Sequence, residues 1–79
     1  MSSHVYEVVE RFISALEETD HPSEARQLRD CLRSGSTGTE ILMCLDWSLA
    51  TFLRSATLPR NLQGVAADLR REIKKIGRL

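Results

Sequence analysis

The sequence predicts an all-α fold, a compact bundle of four short antiparallel helices forming one domain over residues 1–79. Three observations predict it. Four stretches repeat apolar residues at the i, i+3, i+4, i+7 spacing of a helix with one buried face. Each stretch is bounded by proline, glycine or hydroxyl residues of the kind that start and stop helices. Nowhere does the chain alternate apolar and polar residues as a strand would. With 79 residues there is room for a single core, because a domain of this size buries only about 60% of the surface its unfolded chain exposes.

The first helix is read from Val5, Val8, Val9, Phe12, Ile13 and Leu16, with Glu7, Glu10, Arg11, Ser14 and Glu17 on its other side. Ser2 or Ser3 is placed to cap its start, and Thr19-Asp20-His21-Pro22 ends it, since a residue before proline is driven out of the helical region. Pro22 suits the first turn of the second helix, about residues 22–33, whose inward residues are Ala25, Leu28, Cys31 and Leu32. This helix is the shortest and least apolar of the four.

The segment 34–39, Ser-Gly-Ser-Thr-Gly-Thr, stops one helix and caps the next. Thr37 and Glu40 have capping-box spacing, in which a hydroxyl and a carboxylate satisfy the free backbone donors at a helix start. The third helix, about residues 38–54, carries Ile41, Leu42, Leu45, Leu49, Phe52 and Leu53, and Met43, Cys44, Trp47 and Ala50 widen that arc. So wide an arc places the third helix at the centre of the fold. Residues 55–59 end it, and Pro59 opens a fourth helix to about residue 76, with Leu62, Val65, Ala66, Leu69, Ile73 and Ile76 in one stripe. Lys74, Lys75 and Arg78 favour its negative end, and Gly77 terminates it. Gly64 costs this helix about 1 kcal/mol relative to alanine, which implies either a close helix crossing or simple tolerance.

The formal net charge is zero with 28% charged residues, which excludes a strong polyelectrolyte. The signs are unevenly placed: residues 1–40 hold eight acids and four bases, residues 41–79 three acids and seven bases. A negative first helix can therefore lie beside a positive last one. No apolar run approaches the roughly 18 residues of a membrane span, and no secretory signal pattern opens the chain. The expected location is cytoplasmic. Cys31 and Cys44, each within an apolar helical pattern and neither in a CxxC, are expected to be buried reduced thiols.

Candidate sites are few. The 34–39 loop leads into a helix N-terminus, where backbone N–H groups and the hydroxyls of Ser36, Thr37 and Thr39 can hold a phosphate or carboxylate. A nucleotide loop would continue Gly-Lys-Ser/Thr, whereas this chain has Gly38-Thr39-Glu40, whose carboxylate repels phosphate. A structural turn is the simpler reading. The stretch 34–43, Ser-Gly-Ser-Thr-Gly-Thr-Glu-Ile-Leu-Met, followed by Trp47, resembles a loop-and-helix segment of small uncharacterised bacterial all-helical proteins. The resemblance implies a bacterial origin and a recurrent turn, and carries over no activity.

Met43 and Trp47 lie on a side of the third helix rotated away from its Leu45, Leu49 and Phe52 centre. Either a neighbouring helix covers that side or a partner does, and tryptophan is enriched among interface anchors. Asp46 borders the apolar arc and calls for an arginine partner. On the fourth helix Arg60, Arg71, Lys74, Lys75 and Arg78 form a basic stripe of the kind that contacts phosphates. Asp68 and Glu72 interrupt it, and no aromatic accompanies it for base stacking. His4 and His21 have no ligand partners at metal spacing, and no serine sits in a nucleophile elbow, so no metal, cofactor or catalytic residue is expected.

The leading expectation is a non-enzymatic module that docks another protein, or itself as a homodimer, through Met43, Trp47, Ser36, Thr37 and Thr39. Size and the resemblance suggest a small bacterial immunity or accessory protein. The alternative is a small nucleic-acid-binding regulator using the basic stripe, and a third reading is an anion or nucleotide sensor using Ser36, Thr37 and Thr39.

Overall fold

The computed structural model describes residues 4–77, in four helices: α1 (His4–Glu18), α2 (Pro22–Ser34), α3 (Gly38–Ser55) and α4 (Arg60–Gly77). Among these residues there is no strand. The 18-residue helices α3 and α4 are about 27 Å long at 1.5 Å per residue, which matches the 29 Å long axis of the molecule. The helices thus run along one direction, and connections of three or four residues leave only antiparallel neighbours. Each helix packs against the next and α4 returns to α1, closing a ring. The most extensive packing is between α3 and α4. The negative first helix does lie beside the positive last one.

Each helix buries most of the stripe its spacing predicts, with Val8, Leu32, Ile41 and Leu53 only partly buried: Val5, Val9, Phe12, Ile13 and Leu16 from α1, and Ala25, Leu28 and Cys31 from α2. Leu42, Leu45, Leu49 and Phe52 of α3 and Leu62, Ala66, Leu69 and Ile73 of α4 complete the core. Leu58, assigned from sequence only to the segment that ends α3, is itself buried at 3% exposure. Gln63 Nε2 donates to its carbonyl at 2.9 Å, which fixes the turn beneath it. Two residues of the expected α4 stripe, Val65 and Ile76, stay largely exposed, because the α1–α4 contact is open on that side.

The turns follow local chemistry. Asp20 and Ala56 sit in the left-handed region, at φ 65° and 52°, where they reverse the chain after α1 and α3. Gly35 is held against α3: a Cβ there would collide with the Ile41 side chain and come within 3.1 Å of the Ile41 backbone nitrogen. At Gly64 a Cβ would meet nothing within 4 Å, so tolerance, not a close crossing, accounts for that glycine. Ser2 and Ser3, the expected caps of α1, lie outside the described residues, as does Arg78.

The expectation of reduced thiols is overturned. Cys31 and Cys44 form a disulfide with Cα atoms 5.5 Å apart, joining α2 to α3 across the 34–37 turn. Cys31 is buried as predicted and Cys44 only partly so; the two meet where α2 packs on α3, which a pattern within one helix cannot reveal. Disulfides persist chiefly in oxidising environments, so the cysteines lend no support to a cytoplasmic location. No described helix is long and apolar enough to cross a membrane.

Beside the disulfide lies Ser48, fully enclosed and the only buried polar residue among the described residues. Its Oγ accepts from Gln27 Nε2 at 3.1 Å and lies 3.5 Å from Cys31 Sγ. Arg29 of α2 reaches α1, with its Nη2 3.1 Å from Glu17 Oε2.

Candidate functional site

The start of α3 is a cap that uses its own carboxylate. Thr37, extended at φ −131° and ψ 160°, accepts the Glu40 N–H on its Oγ1 at 3.1 Å. Glu40 reaches back as the capping box requires, but its Oε1 accepts from the Ser36 N–H at 3.0 Å and the Ser36 hydroxyl at 2.7 Å. The reciprocal bond is therefore made one residue earlier than the spacing alone implies. Those two Ser36 bonds, with a smaller contribution from the Thr37 backbone, hold the Glu40 carboxyl below its ordinary value. A carboxylate at a helix N-terminus also meets the positive end of the helix dipole. The place an external phosphate would take is thus filled by Glu40, and the hydroxyls of Ser36 and Thr37 are committed to the cap.

From this cap the outer face of α3 runs through Thr39, Met43 and Trp47, four residues apart and therefore stacked in one row. All three are exposed, and the large apolar members are strongly so: Met43 at 54% and Trp47 at 62%. Neighbouring helices leave this side uncovered because α2 and α4 take the two flanks. On the α2 flank, Cys44 and Ser48 meet Cys31 and Gln27. On the α4 flank, Asp46 Oδ1 accepts from Arg70 Nε at 3.0 Å, the arginine partner its position called for. Thr51 Oγ1 donates to the Trp47 carbonyl at 2.9 Å, and α3 is continuous helix through the exposed row.

The magnitude of that exposure is considerable. A tryptophan presents up to about 250 Å², so the uncovered share is roughly 150 Å², worth at most about 4 kcal/mol of apolar transfer before the costs of association are subtracted. This is the size of a strong interface anchor.

The basic residues of α4 are arranged differently. Arg60, Arg71, Lys74 and Lys75 are all exposed, but Arg71 Nη2 lies 3.4 Å from Asp68 and Lys75 Nζ 3.7 Å from Glu72, each an i,i+3 pair on the same helix. The acids that interrupt the stripe in sequence thus also partner two of its bases in space.

One surface was not foreseen. A groove of about 240 Å³ opens between α1 and α4, lined by Val5, Val8, Val65, Leu69 and Ile76 together with His4, Asp68 and Glu72. Its signal was the breadth of the α4 stripe, which includes more apolar positions than α1 covers. Among the described residues no group of three or more His, Cys, Asp or Glu side chains is placed to hold a metal ion.

No protein-family model matches the chain, nor does any curated protein or solved structure.

Proposed function

We propose that the protein is a non-enzymatic binding module that docks another protein, or a second copy of itself, through the Thr39, Met43 and Trp47 row of α3 and the hydroxyl turn before it. The observation that carries this reading is the 62% exposure of Trp47 one helical turn from the exposed Met43. A bundle this small has few large apolar side chains to spare, yet Met43 and Trp47, the two most exposed of them among the described residues, are withheld from its core. Ser36 and Thr37 contribute by fixing the start of α3, which presents the row on a rigid helix and so lowers the ordering cost of binding.

Trp47 itself provides the test. Affinity capture with the wild type and a Trp47→Ser variant, paired with light scattering over a range of concentrations, separates a foreign partner from self-association. The wild type should retain a partner, or its own copy, that the variant loses, and the tryptophan should become shielded from a fluorescence quencher in the complex. Equal retention by both, with Trp47 equally quenched free and bound, refutes the proposed face. Since the side chain is exposed in the monomer, the substitution leaves the fold intact and a loss of binding is not a loss of structure.

A further inference from the structure

We infer that the Cys31–Cys44 disulfide is a directional thiol-exchange site: a small thiol such as glutathione attacks the Cys44 sulfur, and Cys31 is the sulfur that leaves. Two observations set the direction. Cys31 is 1% exposed, enclosed where α2 meets α3, whereas Cys44 is only partly buried, so the incoming sulfur meets Cys44. The second is the buried hydroxyl. Gln27 Nε2 donates to Ser48 Oγ, which occupies that oxygen as an acceptor and leaves its proton to give. At 3.5 Å from Ser48 Oγ lies Cys31 Sγ, and a disulfide sulfur carries no hydrogen, so the hydroxyl is the donor.

Exchange is faster when the departing sulfur is better able to carry charge, and a hydrogen bond to an ionised partner is roughly twice as strong as one between neutral groups. The Gln27–Ser48 pair therefore supplies to Cys31 the stabilisation that its apolar surroundings withhold. It also gives a reason for the one buried polar residue of the core, a group that packing alone would replace with alanine.

The chemistry balances as ordinary thiol–disulfide exchange. The thiolate of the small thiol forms a bond to Cys44 Sγ, the Cys31–Cys44 bond breaks, and its electron pair passes to Cys31 Sγ, which then takes up a proton from solvent. A second thiolate attacks the mixed disulfide at the sulfur of the first, giving free Cys44 and the oxidised small thiol. The protein disulfide is reduced by two electrons and two small thiols are oxidised. α2 contributes only Ala25, Leu28 and Cys31 to the fully buried set, so it is the helix whose attachment depends most on the bond.

The test traps the first step. Full-length oxidised protein is exposed briefly to glutathione, quenched in acid, alkylated and digested with trypsin, which separates the two cysteines by cleavage after Arg33. The mixed disulfide is expected on Cys44 in at least about tenfold excess over Cys31, at a rate unaffected by urea below the unfolding transition. Ser48→Ala should slow the reaction about tenfold, the loss expected when a leaving thiolate forfeits one charge-assisted hydrogen bond. An adduct mainly on Cys31, similar amounts on both, no reaction without unfolding, or a rate that climbs with urea as unfolding does would each overturn the assignment. An unchanged rate in a folded Ser48→Ala protein would overturn the role given to the hydroxyl. The adduct ratio is read on the wild type, so it decides the direction whether or not the variant folds.

Discussion

Two residues sit on the wrong side of a simple rule, and exchanging their types should strengthen the fold. Gly64 lies within α4, exposed, with nothing within 4 Å of where a Cβ would stand. Ala56 caps α3 at φ 52° and ψ 37°, donating its N–H to the Phe52 carbonyl, in a conformation that strains any residue with a Cβ. Gly64→Ala removes the helix penalty of glycine, about 1 kcal/mol, part of it by restricting the unfolded chain. Ala56→Gly removes a left-handed strain of about 1 kcal/mol. Ala56 lies in the turn before α4 and nothing approaches a Cβ at Gly64, so the two sites share no contact there and the effects should add to about 2 kcal/mol. For a domain of this length each kcal/mol raises the melting temperature by roughly 4–8 °C, so the double variant should melt roughly 8–16 °C higher. Thermal unfolding followed by circular dichroism under non-reducing conditions measures it, with Ala66→Gly at a fully buried position as the contrasting loss. If Gly64→Ala is neutral or destabilising, some group closes on α4 there and the account of that helix's outer face is wrong. If Ala56→Gly fails to stabilise, the left-handed cap does not persist in solution.

Replacing both cysteines with alanine should cost about 3 kcal/mol, from closure of a loop with a sequence separation of 13 residues. That is a large part of the roughly 4–12 kcal/mol such a chain can hold, and urea unfolding should show it as a lower midpoint. Because Glu40 has a lowered carboxyl value in the folded state, its contribution is present above the ordinary glutamate range and lost as pH falls through the folded value. The stability difference between wild type and Glu40→Gln should therefore shrink on acidification, and a difference that grew in acid would contradict the cap. Gly35→Ala should destabilise by about 1–3 kcal/mol, since the added carbon meets the Ile41 side chain and backbone; parallel unfolding curves of the two proteins check it.

The fold was legible because it rests on information held within single helices. The spacing of Val5, Val9, Phe12, Ile13 and Leu16 names the buried face of α1 without any knowledge of what covers it, and Pro22, Thr37 and Glu40 mark boundaries through backbone chemistry that needs no tertiary partner. What escaped depends on which faces meet. Cys31 was placed inward correctly and Cys44 is only partly buried; their pairing required knowing that the inward side of α2 abuts that flank of α3. Val65 and Ile76 continue the α4 stripe in sequence and are left open because α1 is too narrow a neighbour there. For the same reason the sequence left open whether a neighbouring helix or a partner covers Met43 and Trp47, and the closed ring shows only that no helix does. Ser48 gave no signal at all, since a serine in an apolar helix reads as a surface residue until its partner, Gln27, is known.

The buried side chain at Leu58 gives the two end turns of the bundle unequal freedom. The turn between α1 and α2 is exposed at Thr19 and Asp20 and is tied only by local bonds, such as that from the Thr19 hydroxyl to the Ala15 carbonyl at 2.7 Å; it can be lengthened with no loss to the interior. The turn between α3 and α4 is nailed to the interior by one leucine, and extra residues there would either pull that leucine out or bulge around it. Variation in the length of this chain, natural or engineered, therefore belongs at the first turn, and a fused tag or inserted loop placed there would leave the outer row of α3 undisturbed.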